Sequence, residues 1–120
     1  DVLIDGAMDK ALSAGEKSTI RGVNVKITNS EIAICSKDQS EITLNSYHLE
    51  NNQIGLVAFQ KKSKFGPGYL KLSEGISINN TVDYLIELNS ICVIDDVEVY
   101  SNNTRVKDLL YGVKYGKSSK

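Results

Sequence analysis

The chain has 120 residues, the length of one domain, and its 41% hydrophobic content is enough to build a core. Fourteen Lys and Arg against fifteen Asp and Glu give a formal net charge of −1, so the basic field that draws proteins to double-stranded nucleic acid is missing. The longest unbroken apolar stretch, Ile54 to Phe59, falls far short of the ~20 residues a membrane-crossing helix needs, which argues against membrane insertion.

Twenty-two Val and Ile outnumber eleven Leu, and β-branched side chains fit a pleated strand better than a helix. Ten Asn, most of them beside the apolar runs, suit turns because Asn tolerates left-handed backbone and bonds to its own main chain. In chain order, Val2-Leu3-Ile4 reads as the tail of a turn of structure. The block from Asp9 to Ile20 then aligns with the block from Glu31 to Ile42 at an offset of 22 residues, and Ile27, Asn29, Ile32 and Ile34 fall on Leu49, Asn51, Ile54 and Leu56 at the same offset. An insertion, Phe59 to Gly68, interrupts the third turn before Tyr69-Leu70-Lys71-Leu72 resumes the Ser40-to-Leu44 pattern. A fourth turn, Tyr84 to Ile94, aligns with Ile32 to Leu44 if three residues are deleted. Val97-Glu98-Val99 alternates like a last strand, and Val106 to Tyr111 reads as a short closing helix or turn.

The apolar residues come in i, i+2 sets (Val23/Val25/Ile27, Ile42/Leu44, Leu70/Leu72, Ile76/Ile78), the period of strands with one face in and one out. Short strands of three to five residues closed by polar turns every 22 residues predict an all-β fold, a right-handed parallel β-helix of about four to five coils, successive coils about 4.8 Å apart. Leucine-rich repeats share the period, as Leu49-Glu50-Asn51-Asn52-Gln53-Ile54 shows, but they lack a second i, i+2 pair such as Ile42/Leu44. An antiparallel jelly roll is the other rival. The expected layout is coils over residues 1–96, with the insertion at 59–68, a closing strand and cap over 97–115 and a flexible tail at 116–120.

Three blocks (Asp9 to Ser18, Ile32 to Ser40 and Phe59 to Pro67) resemble bacterial pectate-lyase-like parallel β-helix repeat proteins, and more narrowly the β-helical tails that follow spore-coat-kinase-like or other exported domains. The resemblance spans roughly Val2 to Ile94. It implies an extracellular or surface protein concerned with polysaccharide, and a C-terminal piece whose first coil is covered by upstream coils or by another subunit.

The candidate contact surface is the insertion, where Phe59 and Phe65 offer rings to sugar faces, Gln60 a hydrogen-bonding amide, and Lys61, Lys62 and Lys64 charge for an acidic polymer; the alternative is a loop that folds back and buries Phe59 or Phe65 against the body. Glu16 and Asp38 align at the repeat offset, and that closeness raises calcium as the one cofactor in view; their lysine neighbours give the alternative of a solvated charge ladder. Cys35 and Cys92 sit in apolar runs as small hydrophobes, and the single histidine, His48, argues against zinc. The expected function is non-catalytic polysaccharide binding, with a lyase or hydrolase fragment and a structural spacer as alternatives. The sequons Asn79-Asn80-Thr81 and Asn102-Asn103-Thr104 read as turns in a bacterial protein.

Overall fold

Strands that alternate between two sheets organise the chain. The computed structural model describes residues 1–101 and 105–110. One sheet has six strands in the order β1 (Val2–Asp5), β3 (Thr19–Thr28), β5 (Glu41–Glu50), β7 (Tyr69–Ile78), β9 (Ile91–Ile94) and β10 (Val97–Val99). The other has four, β2 (Lys10–Ala14), β4 (Ile32–Lys37), β6 (Ile54–Phe59) and β8 (Val82–Ile86), followed by one short helix, α1 (Val106–Leu110). Neighbours pair in parallel except β9 with β10. The offset of 22 residues recurs as strand register, in Leu12 opposite Ile34, Ile34 opposite Leu56 and Ile20 opposite Ile42.

The expected right-handed parallel β-helix of about four to five coils is corrected here. The molecule is a strand-rich globule of 33 × 28 × 22 Å built from one mixed and one parallel sheet. β3, β5 and β7 each run ten residues instead of three to five. The physical reason lies at Asn24, Ser46 and Glu74, which hold left-handed backbone (φ 57°, 66° and 57°) within those strands. A left-handed residue shifts the side-chain alternation by one, so one bent strand reads in sequence as two short ones. The deletion expected before Ile91 is also absent: Leu70 pairs with Cys92 at the ordinary offset, while the insertion sets Leu70 28 residues after Ile42 and the first strand pair, Val2 opposite Val25, is offset by 23.

Left-handed residues also make the corners. Asn29, Asn51 and Asn79 end the three long strands at φ 54–60°. The next residues form a buried ladder in which the Ser30 and Asn52 backbone N–H groups donate to the side-chain oxygens of Asn52 and Asn80, each at 2.9 Å. Asp95 and Asp96, both left-handed, make the two-residue hairpin that reverses β9 into β10, as a type I′ turn requires.

The core between the sheets stacks like on like: Ile20, Ile42, Leu70 and Cys92 form one row, and Leu44, Leu72 and Ile94 another. A second cluster lies on the far side of the four-stranded sheet, where Val106 and Leu110 of α1 cover Cys35, Val57, Phe59 and Leu85. Each such aliphatic side chain fully removed from water stabilises the fold by about 1.5–3 kcal/mol. Where a closing strand and a short helix are expected the chain forms β10 and α1, whereas Tyr111, Tyr115, the tail at 116–120 and the whole second sequon lie outside the described residues.

Candidate functional site

The insertion folds back onto the body. Phe59 is wholly buried at the end of β6, so its ring packs in the second cluster and meets no ligand. Asp38 sits at the first of two left-handed residues, Asp38 and Gln39 (φ 54° and 63°), in a tight turn closed by the Ser40 N–H donating to the Lys37 carbonyl at 3.1 Å. That geometry turns the Asp38 carboxylate inward. Its Oδ1 accepts the backbone N–H groups of Lys61 and Lys62, both at 2.8 Å, while Oδ2 is buried with no hydrogen-bond partner. Gln39 N–H donates to the Gly66 and Pro67 carbonyls at 3.0 Å, and the Gln60 side-chain amide donates to the Phe65 carbonyl inside the loop. Gly68 passes so close to β4 that a Cβ there would lie 2.0 Å from the Ser36 carbonyl oxygen. The insertion is therefore a pinned feature with an exposed rim.

On that rim are Lys62 and Lys64, both exposed, with Lys61 and Phe65 half-buried. Lys64 Nζ lies 5.2 Å from the centre of the Phe65 ring, a cation–π contact. Glu16, on the neighbouring left-handed turn, is ion-paired through its carboxylate to Lys62 Nζ. The pair holds the Glu16 carboxyl below the usual carboxylate range, first through the Lys62 hydrogen bond and charge, which outweigh desolvation, with lesser help from the Lys64 and Lys37 charges. The same contact raises Lys62. Glu16 and Asp38 thus lie on adjacent turns, joined by the Lys17 N–H to Asp38 carbonyl bond at 2.9 Å, but their carboxylates serve different partners. Among the described residues no group of three or more His, Cys, Asp and Glu is placed to hold a metal ion.

A second feature escapes the sequence pattern. The bends in β3, β5 and β7 fall in register and leave a groove of about 520 Å³ on the six-stranded sheet. Asn24, Ser46 and Glu74 line it in a row across β3, β5 and β7 that Asp95 of the β9–β10 turn continues, beside the buried Val25 and Tyr47 and with Lys26, His48, Gly75 and Ile76. The ends of the row are tied down. The Asn24 side-chain amide donates to Asp1 Oδ1 at 3.0 Å, and the Glu74 backbone N–H donates to Asp95 Oδ1 at 2.9 Å. Gly75 is required where it stands, because a Cβ would lie 2.2 Å from the Tyr47 ring, which covers that strand. Burial, helped by the nearby Asp95, raises the Tyr47 phenol, so the group stays a neutral hydroxyl at physiological pH. His48 Nε2 and Glu50 Oε1 are 2.7 Å apart along the same strand, which fixes the imidazole on the groove flank. The signal in the sequence is slight: three polar residues, Asn24, Ser46 and Glu74, stand at equivalent positions of the repeat.

No family model, curated protein or solved structure matches this chain.

Proposed function

We propose that this chain is a non-catalytic polysaccharide-binding domain of an exported or cell-surface protein, and that the groove across β3, β5 and β7 takes an uncharged, hydroxyl-rich stretch of the polymer. The observation that carries this reading is the row Asn24, Ser46 and Glu74 at equivalent positions of three successive strands, continued by Asp95 in the β9–β10 turn. At about 4.8 Å per strand the part of the row on β3, β5 and β7 is ~10 Å long, a shape for an extended ligand with repeating polar groups. Amide, hydroxyl and carboxylate oxygens in a row accept from sugar hydroxyls, while Ile76 and the edge of Tyr47 offer apolar contact. Two carboxylates, Glu74 and Asp95, against one ammonium, Lys26, disfavour an acidic chain in this groove. Binding without turnover agrees with the fate of the carboxylates: Asp38 is committed to the loop amides, Glu16 to Lys62, and Asp95 to the Glu74 N–H. The exported setting rests on the resemblance of the sequence blocks alone.

The test is a thermal-shift screen with uncharged linear oligosaccharides at millimolar concentration. A ligand present at 100 times its dissociation constant adds about 2.7 kcal/mol to stability, so the unfolding temperature rises measurably. Replacing Lys26 and His48 together by Ala, both on the outer face of the sheet, is expected to abolish the rise without lowering the unliganded unfolding temperature by more than a few degrees. Absence of any shift across the neutral panel overturns the reading.

A further inference from the structure

The rim of the insertion carries chemistry that the groove does not use. Lys37, Lys62 and Lys64 come together around Glu16, with the backbone of Lys17 and Lys61 at the same turn, on a chain whose overall charge is −1. Lys37 lies across Gly15, its Cε 3.1 Å from where a Cβ would be, and so reaches the Glu16 turn from the neighbouring strand. The Asp38 staple fixes the backbone of Lys61 and Lys62, so Lys62 leaves a rigid platform. Into this lysine cluster the chain inserts one carboxylate of its own, and that carboxylate is half-exposed: the Glu16 side chain retains 51% and that of Lys62 50% of their accessible surface.

We infer that this basic face binds the carboxylates of an acidic polysaccharide, and that Glu16 is an internal competitor occupying the position an incoming carboxylate takes. The ionisation of Glu16 shows the preference of the place, since Lys62, Lys64 and Lys37 all favour a charged carboxylate there. An exposed ion pair is weak, so a ligand displaces Glu16 at little cost. Lysines without arginine favour this ligand over a phosphate polymer. An ammonium pairs as a point charge with single carboxylates, whereas bidentate phosphate recognition relies on guanidinium forks. The small patch on a slightly acidic molecule also lacks the extended field that gathers nucleic acid. This site is independent of the groove and stands or falls separately.

The probe is polygalacturonate on a solid support at low ionic strength, with the salt concentration at elution as the readout and single-stranded DNA as a second support. The unaltered protein is expected to be retained by polygalacturonate and released by moderate salt. Glu16→Gln removes the competitor and is expected to bind about two- to fivefold more tightly, the range set by loss of one exposed ion pair. Glu31→Gln, which changes net charge equally but lies at the opposite end of β4, is the control and leaves elution unchanged. Lys62→Ala with Lys64→Ala releases the protein at lower salt, while its circular dichroism stays that of the folded chain. The inference is overturned if polygalacturonate fails to retain the protein, if Glu16→Gln binds no more tightly than Glu31→Gln, or if DNA is held at equal or higher salt through the same lysines.

Discussion

Burial decides the behaviour of the two cysteines. Cys35 lies in the cluster under α1 and Cys92 in the core between the sheets, both wholly inaccessible and both unbridged. Desolvation pushes each thiol from its ordinary 9.0 up to about 12, so the reactive thiolate is scarce at neutral pH. Both thiols are therefore expected to resist alkylation by iodoacetamide at pH 8 in the folded protein and to react at once in denaturant; mass spectrometry of the labelled chain checks this. Labelling of either cysteine in the native state at the denatured rate would contradict the packing. The sign of the pH effect follows. A group whose folded pKa is raised contributes stability below its unfolded pKa, here about 9, and that contribution is lost as pH climbs towards 12. The sequence displayed this much, because both residues stand inside apolar runs.

At the scale of the element, the insertion is held by very few groups. Asp38 supplies one carboxylate oxygen to two loop amides, and Gln39 one N–H to two loop carbonyls. Asp38→Ala leaves the Lys61 and Lys62 N–H groups without their acceptor and is expected to destabilise the chain by about 1–3 kcal/mol. It also loosens the lysine-rich rim, so limited trypsin digestion should cut first at Lys61, Lys62 or Lys64, and faster than in the unaltered protein. Equal cleavage rates and equal stability to urea would remove Asp38 as the anchor. The alignment of Glu16 with Asp38 was visible at the repeat offset, but the direction of each side chain was not. Direction depends on a left-handed turn that points Asp38 into the body, and on an inserted loop whose amides fill the space it points to. Phe59 was likewise placed on the loop, when its position as the last residue of a fully buried strand decides its fate.

Across the whole molecule, residue spacing was legible and architecture was not. The offset of 22 emerges directly as strand register because stacked apolar residues must recur at the spacing that pairs them. Alternation with period two shows which side of a strand is apolar, but it leaves open how long the strand is and which way its neighbour runs. Asn24, Ser46 and Glu74 are bends inside ten-residue strands where the sequence shows only short i, i+2 sets. Asp95-Asp96 is a hairpin that reverses the last strand and makes the larger sheet mixed. The groove follows from those bends and had no local motif to announce it. Its ligand is the central claim, and the most direct test is amide chemical-shift mapping of the 13.2 kDa protein during titration with an uncharged linear oligosaccharide that shifts its unfolding temperature. The expected result is perturbation concentrated at Asn24, Lys26, Ser46, His48, Glu74 and Asp95, with the Lys61-to-Gly68 rim unaffected. Perturbations confined to the rim or scattered over the surface, with the groove amides unmoved at saturation, would contradict it.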